Sequence, residues 1–213
     1  METLDSRTLG PADTYARRFS TAGQYRYSVA SAGLHCVAIN ARFTINITDR
    51  STATSQHIVQ VRLDGRHLVA DPEDLEIGIG EGVMWHAADA STPRYAIHGA
   101  GMQTTFQSAA LGMQSLYTHA FGLPGVYAWI DAIGGKLWGE ISVRDPDLCA
   151  EPAREEWVRA LKRGALVYID GDIATPRRVE IFTGQTVFWA IRQAGRQGIT
   201  ITDRCLVRPH PTG

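Results

Sequence analysis

The sequence predicts an all-β protein made of two similar sandwiches or barrels with a short helical linker. Three observations carry that expectation. Short strand-like runs recur between turn residues, one helix is clearly signalled, and two sequence blocks each occur twice. The runs rich in β-branched and aromatic residues are, in order, Gln24 to Val29, Arg42 to Ile47, Ile58 to Leu63, Leu75 to Ile79, Gly82 to Trp85, Val126 to Ile130, Glu140 to Val143, Leu166 to Ile169, Val179 to Phe182, Thr186 to Ile191 and Gly198 to Thr202. Runs of this length between Gly, Pro and Asp clusters read as strands, and their spacing suits a sandwich or barrel rather than βαβ units. The helix starts at Glu151-Pro152, runs through Trp157, Leu161 and Lys162, and stops at Gly164. Early acid, first-turn proline, late bases and a closing glycine are helix signals in their proper order. A weaker helix is expected over Ser108 to Leu116.

The repeats set the expected organisation. Pro72 to Trp85 lies over Pro176 to Trp189 without a gap, with an apolar residue, Glu, Ile, Gly, Val and Trp coinciding. Tyr15 to Tyr27 lies over Tyr117 to Trp129, matching Tyr, Phe, Gly and Tyr. The chain therefore reads back, front, back, front. The middle pair forms an expected complete domain over 57–146, followed by the helical linker 147–163. The two ends, 13–50 and 164–209, are then expected to pair as a second, circularly permuted domain, either within one chain or between two chains as a swapped homodimer.

Composition excludes several classes. With 21 basic and 22 acidic residues, the net charge of −1 argues against nucleic acid as partner. No run approaches the roughly 18 apolar residues of a membrane helix, so no membrane partner is expected. Met1 leads into Glu2, Asp5 and Arg7, unlike a secretory start, so a cytoplasmic location is expected. Cys36, Cys149 and Cys205 have no metal-ligand spacing and read as free thiols.

The blocks resemble the cupredoxin family. Gly80-Glu-Gly-Val83-Met-Trp85, Phe121-Gly-Leu-Pro124-Gly125-Val-Tyr127-Ala-Trp129 and Gly139-Glu-Ile141-Ser-Val143 are similar to that family's scaffold motifs. The resemblance implies two cupredoxin-like Greek-key sandwiches or barrels. It does not carry copper over, because the positions it assigns to the ligands are Asp131, Gly134, Leu137 and Arg94 in the middle unit, with Val29 at the cysteine position of the other. A blue-copper centre needs a thiolate and two imidazoles. His35-Cys36 in the longer loop after Tyr27 is an incomplete set.

The resemblance also implies a gathering at the former metal end: His86, Asp89, Arg94, Tyr95 and Asp131, with His98 further along its strand. Asp131, His86, Arg94 and Tyr95 are the candidate catalytic residues, since carboxylate and imidazole in contact relay protons near neutral pH. Trp85, His98, Trp129, Arg192 and Arg196 are the candidate ligand-binding residues, the arginines lying beside Gln193 and Gln197 in the composite unit. His119 reads as a buried core histidine. A set of His98, His119 and Asp131 is the alternative metal site, and His35 with Cys36 a further alternative. The function expected is a copper-free, cofactor-free cupredoxin-like protein that binds a small molecule and converts it by acid–base chemistry. A non-catalytic binding or assembly module, and a metal-binding protein with a non-blue site, are the alternatives.

Overall fold

A computed structural model describes residues 2–31, 41–51, 55–102, 104–149 and 151–207. Apart from one α-helix and a short 3-10 turn, the regular structure of these residues is β. The first half of the chain supplies β1 (Asp13–Arg18), β2 (Gly23–Ser31), β3 (Phe43–Ser51), β4 (Gln56–Asp64), β5 (His67–Asp71), β6 (Asp74–Ile79), β7 (Gly82–Ala87), β8 (Tyr95–Ala100) and β9 (Thr105–Gln107). The second supplies β10 (Ser115–Ala120), β11 (Gly125–Ile130), β12 (Trp138–Arg144), α1 (Glu151–Arg163), β13 (Ala165–Asp170), β14 (Ile173–Thr175), β15 (Arg178–Phe182), β16 (Thr186–Gln193) and β17 (Thr202–Asp203).

The strands form three sheets. One has eight strands in the order β14-β13-β16-β10-β1-β7-β4-β5 and runs through both halves. A five-stranded sheet, β6-β3-β2-β8-β9, belongs to the first half, and a four-stranded sheet, β15-β12-β11-β17, to the second. Alternation builds the faces. Along β7, Val83, Trp85 and Ala87 are buried, and along β16, Val187, Trp189 and Ile191 are buried. Between the sheets the chain coils. β6 lies parallel beside β3 and β7 parallel beside β4, and β15 and β16 do the same beside β12 and β13. This parallel coiling is solenoid-like and departs from a Greek key closed only by hairpins.

The expected domain boundaries are corrected by the pairing. The repeated blocks do not close a unit over 57–146, nor do 13–50 and 164–209 form one. Each back block pairs with the front block that follows it: β1 with β7, β2 with β8 and β3 with β6 in the first half, β10 with β16, β11 with β17 and β12 with β15 in the second. The expected linker is also corrected. Helix α1 lies between β12 and β13, inside the second half, where the Trp157 indole donates to the Thr183 carbonyl (3.0 Å) and the Gln185 amide to that of Ala160 (3.0 Å). No helix forms over Ser108 to Leu116. Leu111 instead exchanges two backbone hydrogen bonds with Ile199, and Gln114 turns the chain into β10 at φ 69°.

The halves meet where β1 pairs with β10. Tyr15 faces Tyr117, its own counterpart in the repeat, Asp13 faces His119 and Arg17 faces Ser115. A local two-fold axis therefore passes between the two tyrosines. The halves also exchange arms. Ser6 donates its backbone N–H to Ile201 and its hydroxyl oxygen accepts from Ile201 N; Ser108, its counterpart, repeats both bonds with Ile97 of the first half. Each arm then returns to its own half, through Leu9 on Tyr95 and Leu111 on Ile199.

Each half has its own aromatic core. Trp85 packs with Tyr15, Tyr27 and Phe106 at centroid distances of 5.4, 5.5 and 5.7 Å. Trp189 packs with Tyr117 and Trp129 at 5.5 and 6.0 Å. Glycines make room for these rings. A Cβ on Gly139 would sit 2.5 Å from the Trp129 indole, which is fully buried and has nowhere to go. Gly139→Ala is therefore expected to cost about 1–3 kcal/mol. Gly195→Ala, where an added Cβ meets nothing within 4 Å, is expected to stay within about 0.5 kcal/mol. Denaturant unfolding of the two variants checks the contrast.

Candidate functional site

A side-chain network lies at one end of the β1–β10 seam, where the first arm crosses the second half. The Phe121–Gly125 turn presents its Gly122 and Leu123 N–H groups outward, and both donate to the Glu2 carboxylate at 3.0–3.1 Å. The Tyr127 hydroxyl lies 2.9 Å from the Leu123 carbonyl and 3.3 Å from Glu2 Oε2, with one proton to share between them. Behind Glu2 is His119, 2% exposed. Its Nδ1 is 2.7 Å from Asp13 Oδ1 and its Nε2 3.4 Å from Glu2 Oε1. The second contact is an ion pair too long to be a full hydrogen bond, so Nε2 is a buried donor without a close acceptor. Asp13 also accepts from the Tyr117 hydroxyl at 2.6 Å and from Gly10 N at 2.7 Å.

The charges follow from this geometry. Burial alone would strip the proton from His119, but Asp13 and Glu2 outweigh it and push its pKa up to about 9. Burial would raise Glu2, yet His119 and the two backbone N–H groups hold its carboxyl below the ordinary value. Tyr117 is driven well above its ordinary range by burial and then by Asp13, and Tyr127 is raised to about 12 by burial and Glu2. The arrangement holds a proton on His119 and a negative charge on Glu2. It is built to fix charge rather than to pass protons.

Glu2 and Tyr127 form part of the wall of an open cleft of about 570 Å³. Leu123, Val126 and the backbone of Gly125 and Ala128 give it an apolar side, and Asp203, Arg204 and Cys205 close the other. Leu123 and Val126 are 52% and 67% exposed, and Leu206 next to Cys205 is 41% exposed. Cys205 is a poor nucleophile here, because a hydrogen bond to Asp203 raises its thiol pKa.

The residues expected to gather do not. Asp131 follows β11 in the second half and is buried. Its carboxylate accepts from Ile133 N, Gly134 N, Thr200 N and the Thr200 hydroxyl at 2.8–3.0 Å, which staples two loops, and it does not line the cleft. His86, Arg94 and Tyr95 belong to the first half. His86 Nδ1 bonds the Ala87 carbonyl (2.8 Å), and Arg94 donates to the Thr8 carbonyl (2.8 Å), fastening an arm. Asp89 accepts from Ser91 within its own loop. Tyr95 is fully buried beneath Leu9, its hydroxyl without a partner among the described residues and its pKa raised by burial and by Asp13.

The candidate ligand-binding residues are separated too. Trp85 and Trp129 are core residues of opposite halves, and neither lines the cleft. His98 faces Gln107 on the neighbouring strand. Arg192 stacks on Tyr168 at 3.6 Å and pairs with Asp170 at 3.9 Å, and Arg196 is exposed in a loop. His98, His119 and Asp131 do not converge: β11, roughly 20 Å long at six residues, separates Asp131 from the turn beside His119. Among the described residues no group of three His, Cys, Asp or Glu side chains is arranged to hold a metal ion. His35 and Cys36 lie outside the described residues. His119 is a buried, hydrogen-bonded core histidine, as expected. Glu2, Asp13 and Tyr117 escaped sequence reasoning, because their meeting depends on β1 pairing with β10. The alignment of Tyr15 with Tyr117 marked those strands as equivalent but not as partners.

The raised pKa of His119 has a consequence for stability. Its folded value of about 9 lies above the unfolded value of 6.5, so its contribution is complete below pH 6.5 and disappears as pH rises through 9. Glu2 acts in the opposite direction, stabilising above its ordinary 4.5 and losing that stabilisation as pH falls through its lowered value. Denaturant unfolding between pH 6 and pH 10 should therefore show a loss of about 3 kcal/mol. His119→Asn should be less stable at pH 6 and should lack most of that slope.

No helix among the described residues is long and apolar enough to cross a membrane. No family model matches the sequence, and no curated protein or solved structure matches it either.

Proposed function

We propose that the protein is a copper-free, cupredoxin-like binding protein that holds a small molecule in the cleft beside Glu2. The observation that carries this reading is the preparation of Glu2. A carboxylate is fixed at the cleft wall by two backbone N–H groups, backed by a protonated imidazole and bordered by exposed Leu123 and Val126. Ordering and desolvating a charged group is a large part of the cost of binding, and here the fold has already met it. A concave, partly apolar surface with a few convergent polar groups is the usual form of a ligand site. The ligand class that suits it has a flat apolar body to cover Leu123 and Val126 and one cationic or hydrogen-bond-donating group for Glu2 and Asp203.

The cupredoxin-like reading is supported by the aromatic and glycine blocks, which recur in register and bury their Trp residues in both halves. The Asp131 position, which the resemblance equates with a copper thiolate, is occupied by a carboxylate spent on loop hydrogen bonds. Conversion of the ligand receives less support than binding. The carboxylates nearest the cleft are already bonded, and Glu2 is held below the range useful to a general base at neutral pH.

Thermal unfolding with aromatic amines and aromatic carboxylates as probes tests the proposal. Tyramine and tryptamine should raise Tm in a saturable way and indole-3-acetate should not. Glu2→Gln should weaken amine binding roughly tenfold, in line with the loss of a charge-assisted hydrogen bond, and Val126→Asp should also lower affinity. Equal responses to amines and carboxylates, or an affinity untouched by Glu2→Gln, would count against the cleft.

A further inference from the structure

The eight-stranded sheet packs the two smaller sheets on one of its faces. Those sheets meet the side that carries Trp85 and Trp189, through Tyr27 and Phe106 in one half and Trp129 in the other. The opposite side is built from the intervening residues of each strand. Across six strands Ile58 lies beside Met84, Met84 beside Ala16, Ala16 beside Leu116, Leu116 beside Ala190 and Ala190 beside Tyr168. This is one unbroken row of uncharged side chains, apolar but for the Tyr168 hydroxyl. The seam axis generates a second row beside it. There Leu166, Phe188 and Thr118 stand for Ile58, Met84 and Ala16, and the row ends through Thr14 and His86 at Gln60. Within the two rows only Ala16 and Thr118, both small, are buried, while Ile58 and Leu166 are 55% and 42% exposed. A contiguous apolar surface of this breadth marks a place of contact.

Charge, area and symmetry together identify what covers it. The charged residues of this face stand at its margin and have partners within the chain. Arg62 pairs with Asp64 at 4.0 Å, Arg192 with Asp170 at 3.9 Å, and the Arg18 Nε donates to the Gly80 carbonyl at 2.7 Å. The face therefore offers little for an acidic or a basic partner to neutralise. Strands about 4.8 Å apart and about five residues deep give an eight-stranded face of roughly 600 Å². Two such faces laid together bury a little over about 1,000 Å² in total, the level that a specific interface has to clear. The axis between Tyr15 and Tyr117 also makes the face repeat itself. Laid on a copy of itself, an apolar row from each half meets an apolar row of the copy, so every contact is made more than once.

We propose that two copies of the chain stack through this face, sheet on sheet, as a dimer. Facing sheets pack about 10 Å apart with their strands nearly aligned and their side chains interdigitated. A depression of about 210 Å³, lined in part by Ala16 and Leu116, gives a side chain of the second copy a place to enter. This contact differs from an exchange of chain ends, because both halves are closed within one chain. It shares no residue with the Glu2 cleft and does not depend on a ligand there.

Sedimentation equilibrium of the full chain from about 1 µM to about 200 µM tests the proposal, with the mass expected to rise from that of one chain to that of two. Ile58→Asp and Leu166→Asp each place a charge in the contact, once in each copy, and should each weaken dimerisation at least tenfold. Both positions are exposed in the single chain, so the circular dichroism spectrum should not change. If the aspartate variants do not fold, Ile58→Thr and Leu166→Thr decide in their place and should each weaken the dimer at least threefold. Val126→Asp, in the Glu2 cleft, should leave the dimer intact. A single-chain mass at every concentration, a mass that climbs past two chains, a dimer as strong in the Ile58 and Leu166 variants as in the wild type, or one lost only in Val126→Asp overturns the proposal.

Discussion

The pairing of β1 with β10 is the interaction on which the rest of the molecule depends. Tyr15 opposite Tyr117 makes the contact between the halves isologous, with each half presenting the same strand to the other. Without it each half would end in an unpaired edge strand carrying fully buried tyrosine. With it, two four-strand ladders become one sheet of eight, and both small sheets have a common surface to pack on. The exchange of arms follows from the same axis. An arm leaving the seam passes the other half before it reaches its own, so Ser6 and Ser108 fasten opposite halves with the same pair of hydrogen bonds. The halves therefore share strands as well as a surface, and neither is closed by its own residues alone.

Much of this was legible in the sequence, but not the connectivity. The strand runs were readable because β-branched and aromatic residues alternate with polar ones, as in Val83-Met84-Trp85 and Val187-Phe188-Trp189. The helix was readable because Pro152 and Gly164 mark its ends. The repeat was readable because Gly80 and Gly184 sit at the same turn, each at φ 89°, where a side chain would be strained. What no local pattern recorded was which front block each back block joins. The middle front and back blocks each have a possible partner on either side, and loop closure costs rise too slowly with length to decide between them. Leu9 on Tyr95 and Leu111 on Ile199 are the contacts that tie each back block to its own front block, and an isolated leucine carries no such label.

The expected site failed for the same reason. Asp131 and the His86–Tyr95 segment would converge only in a unit closed over 57–146. In the pairing that forms, they belong to different halves, and each polar side chain fulfils a local need: Asp131 caps a turn, Arg94 holds an arm, and Arg192 covers Tyr168. The turn reading of Asp131 was available from Ala132-Ile133-Gly134-Gly135 alone, because an aspartate before such a loop satisfies its N–H groups. Glu2 had no comparable signal. Its role comes from where an arm crosses the turn of the other half.

A symmetric seam need not have symmetric chemistry. The ladder requires only that Tyr15 and Tyr117 pack, which leaves the positions two residues to either side open. At one end, charge is completed inside the fold by Asp13 and extended by Glu2, and the result is a buried network. At the other, Ser115 stands where an acid would be, and the guanidinium of Arg17 is held by aromatic rings instead of by a carboxylate. The Arg17 Nε is buried without an acceptor among the described residues, whereas the His119 imidazolium gives its Nδ1 to Asp13 and holds its Nε2 3.4 Å from Glu2. The repeated scaffold thus sets its cation between carboxylates at one pole and against aromatic rings at the other, and that difference rests on single residues at equivalent positions rather than on any difference in fold.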